Sequence, residues 1–281
     1  MLTSRPPTCD LHTHSLWSDG TEPPAQVIEH ALDRELSALA LTDHDTLEGL
    51  PEARARAQGT NLRVISGVEL SSAENGAEVH VLGYFLDETP GELTAALARF
   101  REVRRERARL MLERLSSMGM PLSEEDVFAR AKGGTVGRPH VAEALVARGF
   151  VTSLDEAFRR FLGNHGPAWV PKPVLTPVEA VALIRRAGGA AVVAHPATIG
   201  RASLIADLAK QGLAGLECIH PKHDPSTTER YRDMARKLGL VVTGGSDCHG
   251  RRPGGSVIGY GDVPLSVVDE LEEVARSVRG A

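Results

Sequence analysis

Histidine and carboxylate recur along this chain at spacings that suit metal coordination. His12 and His14 stand two apart in "CDLHTHSLWSDG", and Asp19 follows five residues after the second. His44 lies between Asp43 and Asp45 in "TDHDT", Glu69 lies in "GVEL", and His80 in "VHVLGY". His195 belongs to "AHP", while Glu217, His220 and His223 share "LECIHPKHD". Asp247 and His249 close the series in "GSDCHG". Imidazole and carboxylate without paired cysteine suit Mn, Zn or Fe and disfavour a closed structural zinc site. Nine candidate ligands (His12, His14, Asp19, His44, Glu69, His80, His195, Asp247 and His249) are too many for one ion. They suit two or three ions that share carboxylates. Such clusters clamp the attacking and leaving oxygens of a displacement and make hydroxide available near neutral pH.

These residues need a scaffold that gathers positions more than two hundred residues apart. In "TCDLHTH" the side chains alternate, with Cys9, Leu11 and Thr13 on one face and Asp10, His12 and His14 on the other. A strand thus points both imidazoles the same way. A helix follows Pro23 and Pro24. Strands are predicted over residues 37–45, 62–72 and 77–86, with a helix over 50–58 between the first two. After Pro90 the pattern turns helical: one long helix over 91–118, then shorter ones over 123–132, 138–148 and 153–162. The strand–helix alternation resumes at "TPVEAVALIRRAGG" and continues through "AAVVAHP", "GLECIHP" and "LVVTGGSDCHG" to a last helix over 266–278. Buried strands alternating with helices predict a parallel α/β sheet or barrel. Residues 1–90 and 170–281 would form it, and 91–169 would be a helical insertion. Nearly every candidate ligand falls at a strand's C-terminal end, where such folds place their active sites. One histidine at a strand end is usually an ordinary polar residue; six such histidines beside three carboxylates form a site.

Asp43 and Asp45 are expected to orient histidines or cap the next helix rather than bind metal. His30 and His165 are expected on the surface, and Cys248 should point away from its neighbours. Seven arginines fall between Arg99 and Arg114, interleaved with Glu102, Glu106 and Glu113, and read as a solvated helix face. The net charge of -5 argues against a surface built for duplex DNA. The three cysteines form no Cys-x-x-Cys pair, which points to a reducing cytoplasm. No stretch is apolar enough to predict a signal peptide or a membrane span.

The ordered motifs "DLHTHSLWSDG", "TDHDT", "GVEL", "VHVLGY", "AHP" and "GSDCHG" resemble those of the PHP (polymerase and histidinol phosphatase) superfamily across almost the whole chain. The insertion makes the chain similar to its TrpH-type branch, which includes nucleoside 3′,5′-bisphosphate phosphatases and a 5′→3′ exoribonuclease. The resemblance implies a distorted (β/α)7 barrel and a trinuclear site, usually with Mn²⁺; Zn²⁺ and Fe²⁺ share the same donor preference. It implies His12, His14 and Asp247 on one ion, and Asp19, His44 and His249 on a second. His80 and His195 would bind a third, with Glu69 bridging the first and third. It also implies that Arg138 and His140 of "VGRPH", with His223, contact the substrate phosphate; His220 is the alternative to His223. Arg138 opens a predicted helix, and its guanidinium offers a bidentate fork to phosphate. Arg138 would neutralise charge during reaction and a protonated His223 would assist the leaving oxygen. The expected substrate is a small nucleotide, such as pAp converted to AMP, or short 5′-phosphorylated RNA. The alternatives are a histidinol-phosphate phosphatase and a non-catalytic metal or nucleotide sensor.

Overall fold

A computed structural model describes residues 6–171, 175–250 and 257–280. Local chemistry sets the element boundaries. In α7 (Pro177–Arg186), Thr176 Oγ1 accepts from the Glu179 amide and the Glu179 carboxylate accepts from the Thr176 amide, a reciprocal cap. Asp224 caps α9 (Pro225–Leu238) by accepting from the Thr227 amide at 2.7 Å, and Gly239 ends it at φ 67°.

Eight strands follow one another across a single sheet in the order β7-β6-β5-β4-β3-β2-β1-β8. β1 (Thr8–Thr13), β2 (Ala38–Leu41) and β3 (Arg63–Glu74) run parallel. So do β5 (Ala190–Val193), β6 (Gly215–Ile219) and β7 (Val241–Gly244). The helices α1 (Pro24–Asp33), α2 (Leu50–Ala57), α7, α8 (Ala202–Lys210) and α9 connect strands on the outside. The last loop closes the sheet on itself: the His14 amide donates to the Cys248 carbonyl at 2.9 Å. Gly245 lies against β1, where an added Cβ would stand 2.4 Å from His12 Cβ. The result is the expected α/β barrel, almost closed.

Two features depart from an all-parallel barrel. β4 (Ala77–Tyr84) runs antiparallel to both β3 and β5. Asn75 and Gly76 join it to β3 with φ 51° and 80°, a two-residue turn that makes a hairpin, whereas a parallel crossover needs a dozen residues or more. β8 (Val263–Pro264), too short to register as a pattern, pairs antiparallel with β1.

The segment between β4 and α7 holds α3 (Glu92–Ser117), α4 (Glu124–Phe128), α5 (Arg138–Ala147) and α6 (Leu154–Ala157), the last running into a π-helical turn, Phe158–Leu162. α3 serves two cores. Leu93, Ala96 and Leu97 pack with Val68, Val81, Val181 and Ile184 of the barrel. Ala108, Met111, Leu112 and Leu115 pack with Val141, Leu145, Phe161 and Leu162 in a separate helical cluster.

Candidate metal centre

All nine candidate ligands meet at one rim of the barrel. His12 lies in β1 and His14 just beyond it; Asp19 is on the following loop, and His44 follows β2. Glu69 lies in β3, His195 follows β5, and Asp247 and His249 follow β7. His80 reaches the same rim from the first half of β4, because that strand runs the other way and pairs His80 with Ser71.

Glu69 is the hub. Its Oε2 lies 3.3, 3.2 and 3.2 Å from His12 Nε2, His14 Nε2 and His44 Nδ1. Its Oε1 lies 2.8 Å from His80 Nδ1 and 3.1 Å from His195 Nε2. Each oxygen therefore serves a different set of rings. Asp247 Oδ1 stands 3.4 Å from both His12 Nε2 and His14 Nε2, and those two nitrogens are 3.1 Å apart. Asp19 Oδ1 stands 3.2 Å from His249 Nε2 and 3.9 Å from His44 Nε2. Among the described residues, ligand atoms within 4.8 Å of one another form the groups His12–His14–Glu69–Asp247, His14–Asp19–His44–His249, His44–Glu69–His80 and His12–Glu217–His220. The His195 ring reaches the centre at Glu69 Oε1 and lies against the rings of His12 and His80. His44 Nδ1 is buried without a hydrogen bond among the described residues, although Glu69 is near, which is how a nitrogen aimed at an ion would stand.

Neighbouring groups fix the rings. His12 Nδ1 donates to Glu217 Oε1 at 2.9 Å, so its Nε2 keeps the lone pair when the ring is neutral. The other Glu217 oxygen accepts from the His195 amide at 2.7 Å. That bond helps hold His195 at φ 28°, and Asp247 has φ 50°; residues other than glycine adopt this region only where their surroundings enforce it. His220 accepts from the Lys222 amide on Nδ1 at 3.1 Å and offers Nε2–H to Asp247 Oδ2 at 3.3 Å. Asp43 accepts from the Ser15 amide, the Ser15 hydroxyl and the Ser18 hydroxyl, which shapes the loop carrying Asp19. Cys248 packs into the apolar cluster with Val27 and Ile28. His30 pairs with Glu22, and exposed His165 lies beside Trp169. In the sequence Glu217 stands at a strand end with no role attached to it, and His220 is the alternative to His223 as a phosphate contact; in the structure His220 bonds Asp247. Replacing Glu217 by Gln is expected to weaken metal binding about 10- to 100-fold, read by titration of the metal-free enzyme. Unchanged affinity would remove Glu217 from the site.

Charge in the cluster is strongly polarised. Burial raises the Glu69 carboxyl, but His44, His80 and His12 overrule it and hold it well below the usual range. Burial lowers His14, yet Asp247 and Glu69 raise it to about 10. Burial dominates at His44, which falls to about 3. A pKa raised on folding gives His14 a stabilising contribution that is complete below an unfolded value of about 6.5. That contribution is lost as pH rises through about 10. A metal must displace the same proton, so its affinity should climb across this interval. Titrating Mn²⁺ at pH 7 in buffers of different ionisation enthalpy should show net proton release. No release would contradict a protonated His14.

A cavity of about 280 Å³ adjoins the centre, lined by Asp19, His44 and His80 of the rim and by Arg104, Arg107, Arg138, Phe158 and Trp169 of the helical segment. Arg138 donates to both Glu78 carboxylate oxygens, at 3.2 and 3.0 Å, and to Asn164 Oδ1 at 2.7 Å. His140 is not in this cavity. It caps α5 by accepting from the Gly137 amide on Nδ1 at 3.0 Å, and it lines a second cavity with Gly20, Thr21 and Glu143. His223 is buried; its Nδ1–H goes to the Cys218 carbonyl at 2.9 Å and its Nε2 faces the Ala197 amide at 3.4 Å. The expectation of a solvated arginine face fails at two positions three residues apart. Arg104 and Arg107 are buried, because this stripe of α3 faces the rim rather than water. Arg104 binds Asp45 at 2.7 Å and Ser71 Oγ at 2.9 Å.

The family model for the PHP domain matches residues 10–121. The chain is 35% identical to a 3′,5′-nucleoside bisphosphate phosphatase of Chromobacterium violaceum, over 89% of this chain and 90% of that one. It is 32% identical to the 5′-3′ exoribonuclease Rnm of Escherichia coli, over 85% and 84%. It is also 32% identical to a phosphoribosyl 1,2-cyclic phosphate 1,2-diphosphodiesterase of Eggerthella lenta, over 86% and 94%. A solved structure from Bifidobacterium adolescentis, described as a metal-dependent phosphoesterase, superposes with a TM-score of 0.88 at 32% identity, covering 96% of this chain and 98% of that one. Barrel, histidine–carboxylate rim and these matches together define a metal-dependent phosphoesterase. The chain belongs to the PHP family. Among the described residues no helix is long and apolar enough to cross a membrane.

Proposed function

We propose that this enzyme hydrolyses a phosphate ester of a small nucleotide, removing the 3′-phosphate of a nucleoside 3′,5′-bisphosphate, as in pAp to AMP. The observation that carries the reading is the junction of the histidine–carboxylate rim with an arginine-lined cavity of about 280 Å³. The same arrangement suits short RNA with a 5′-phosphate, cleaved in the 5′→3′ direction, since both substrates present an acidic group and a 3′-ester on one nucleoside.

The donor set fits two or three Mn²⁺ ions. His12, His14 and Asp247 would hold one, Asp19, His44 and His249 another, and His80 with His195 a third, with Glu69 shared. Bound there, the ions would supply Lewis-acid charge and a nucleophile at neutral pH. The protein's own part is positional. Arg138 opens α5 with its guanidinium in the cavity, where it can exchange Glu78 for phosphate oxygens. Residues 91–169 would act as a unit that closes over the rim and excludes water. His223 lies near His220, with ring centroids 5.3 Å apart. Burial lowers its pKa and it does not line the arginine cavity, so a neutral ring packed beside His220 suits this position better than the proton donor expected from sequence. His140 would act through the start of α5 rather than by direct contact. We place the enzyme in the cytoplasm, where nucleotide substrates occur; its cysteines are buried and form no disulfide among the described residues.

The deciding experiment is a parallel assay, with Mn²⁺ added, of pAp, short 5′-phosphorylated RNA, a cyclic phosphodiester and histidinol phosphate. Phosphate release from pAp well above the last two is expected. A metal-loaded, folded enzyme inert toward both pAp and RNA would overturn the substrate assignment.

A further inference from the structure

The cavity beside the metal centre holds one guanidinium that no carboxylate ion-pairs directly among the described residues. Three guanidinium groups line it. Arg104 is paired with Asp45 and Arg138 with Glu78. Arg107 makes neither kind of pair. Its Nε donates to the Val170 carbonyl at 2.8 Å, and its Nη2 is buried without a partner among the described residues. The residue is only 7% exposed. Burial lowers its pKa to about 10, with repulsion from Arg138 and Arg104 added and attraction to Glu78 set against them, so it remains charged at neutral pH. Trp169 lines the same cavity, and its indole N–H is likewise buried without a partner among the described residues. Both residues belong to the helical segment, while Asp19, His44 and His80 line the same cavity from the rim.

Buried donors are almost always satisfied in folded proteins. Two unsatisfied donors in one cavity, one of them a cation, call for a ligand that brings several acceptors and negative charge. We infer that Arg107 and Trp169 hold a second acidic group of the substrate, a phosphate that is not itself hydrolysed, on the helical side of the cavity. Phe158, which also lines the cavity, offers apolar surface to the nucleoside between the two phosphates. The inference rests on the proposed substrate class and deepens it: Arg107, which lies outside every recognisable motif, would set the preference for bisphosphates over monophosphates.

Two measurements test it. The first uses metal-free enzyme and inorganic phosphate, and reads binding by calorimetry. Arg107→Gln should weaken phosphate binding about 10- to 100-fold, as for loss of a hydrogen bond to a charged partner, and Trp169→Phe about 3- to 10-fold. Arg107→Lys keeps the charge and should recover part of the loss, which also controls for misfolding. Unchanged phosphate affinity in Arg107→Gln and Trp169→Phe would overturn the inference. The second compares kcat/KM for a nucleoside 3′,5′-bisphosphate with that for the corresponding 3′-monophosphate. The wild-type preference for the bisphosphate should collapse about 10- to 100-fold in Arg107→Gln; a preserved ratio would overturn the assignment. If neither nucleotide is turned over, the proposed function fails, and the phosphate measurement still decides whether Arg107 holds an anion.

Discussion

Replacing Asp247 by alanine is expected to lower kcat/KM by about 10³-fold or more, equivalent to roughly 4 kcal/mol of transition-state stabilisation. Asp247 is where two supports converge. Its Oδ1 faces the Nε2 atoms of His12 and His14, and its Oδ2 is held by His220 at 3.3 Å and Lys222 at 3.1 Å. The carboxylate is thus pre-aimed, so alanine removes both a ligand and its alignment. The surrounding histidines hold it well below the usual carboxylate range despite its burial. Its loss leaves several imidazoles facing one fewer negative charge, and these can shed protons, so the fold should survive. Far-UV circular dichroism of the variant should match the wild type. A folded variant retaining more than about a tenth of wild-type activity would show that Asp247 is not a ligand.

Glu69→Gln should do comparable damage for a different reason. Five histidines surround this carboxylate, three at Oε2 and two at Oε1. Glutamine preserves shape but offers one carbonyl oxygen and one NH₂, so one set of rings meets a donor instead of an acceptor. The side chain is 1% exposed and cannot turn away. If each oxygen serves a different ion, the variant loses metal as well as rate. Elemental analysis after dialysis should show at least one ion fewer per chain than wild type, alongside a loss of about 10³-fold in kcat. Full metal content with normal turnover would refute the bridging role. Full content with low turnover would instead confine Glu69 to arranging the histidines.

The fold and most of the site were legible because their signals are local. Alternation in "TCDLHTH" put His12 and His14 on one face, and nearly every later ligand, His80 excepted, sat at or just after the end of a recognisable strand. A barrel brings such ends together whatever the loop lengths, so ligands as distant as His12 and His249 could be grouped from chain order alone. One feature of the fold has a local signal and another has none. "Asn75-Gly76" marks a tight hairpin, and with it the reversed direction of β4 and the route by which His80 reaches the rim. The burial of β8 against β1 had no pattern to read, because two residues carry no periodicity.

What only the tertiary structure decided concerns which side chain answers which. Arg104 and Arg107 share a helix with five other arginines and several glutamates, and helical spacing alone cannot say which stripe of a polar helix faces a cavity. Docking of α3 across the rim selects those two: Asp45 and Ser71 take Arg104, while Arg107 keeps one donor unpaired among the described residues. His140 and Arg138 are two residues apart, yet a helix turns them about 200° from one another, so one faces the cavity and the other caps its own helix. Glu217 gains its role from a 2.9 Å contact with a ring 205 positions away. The amino-acid sequence by itself determined the donor set and hence the class of chemistry, since these depend on residue type and strand period. Pairing, burial and the surplus charge of Arg107 depend on distances between segments remote in the chain, and those exist only once the barrel has closed.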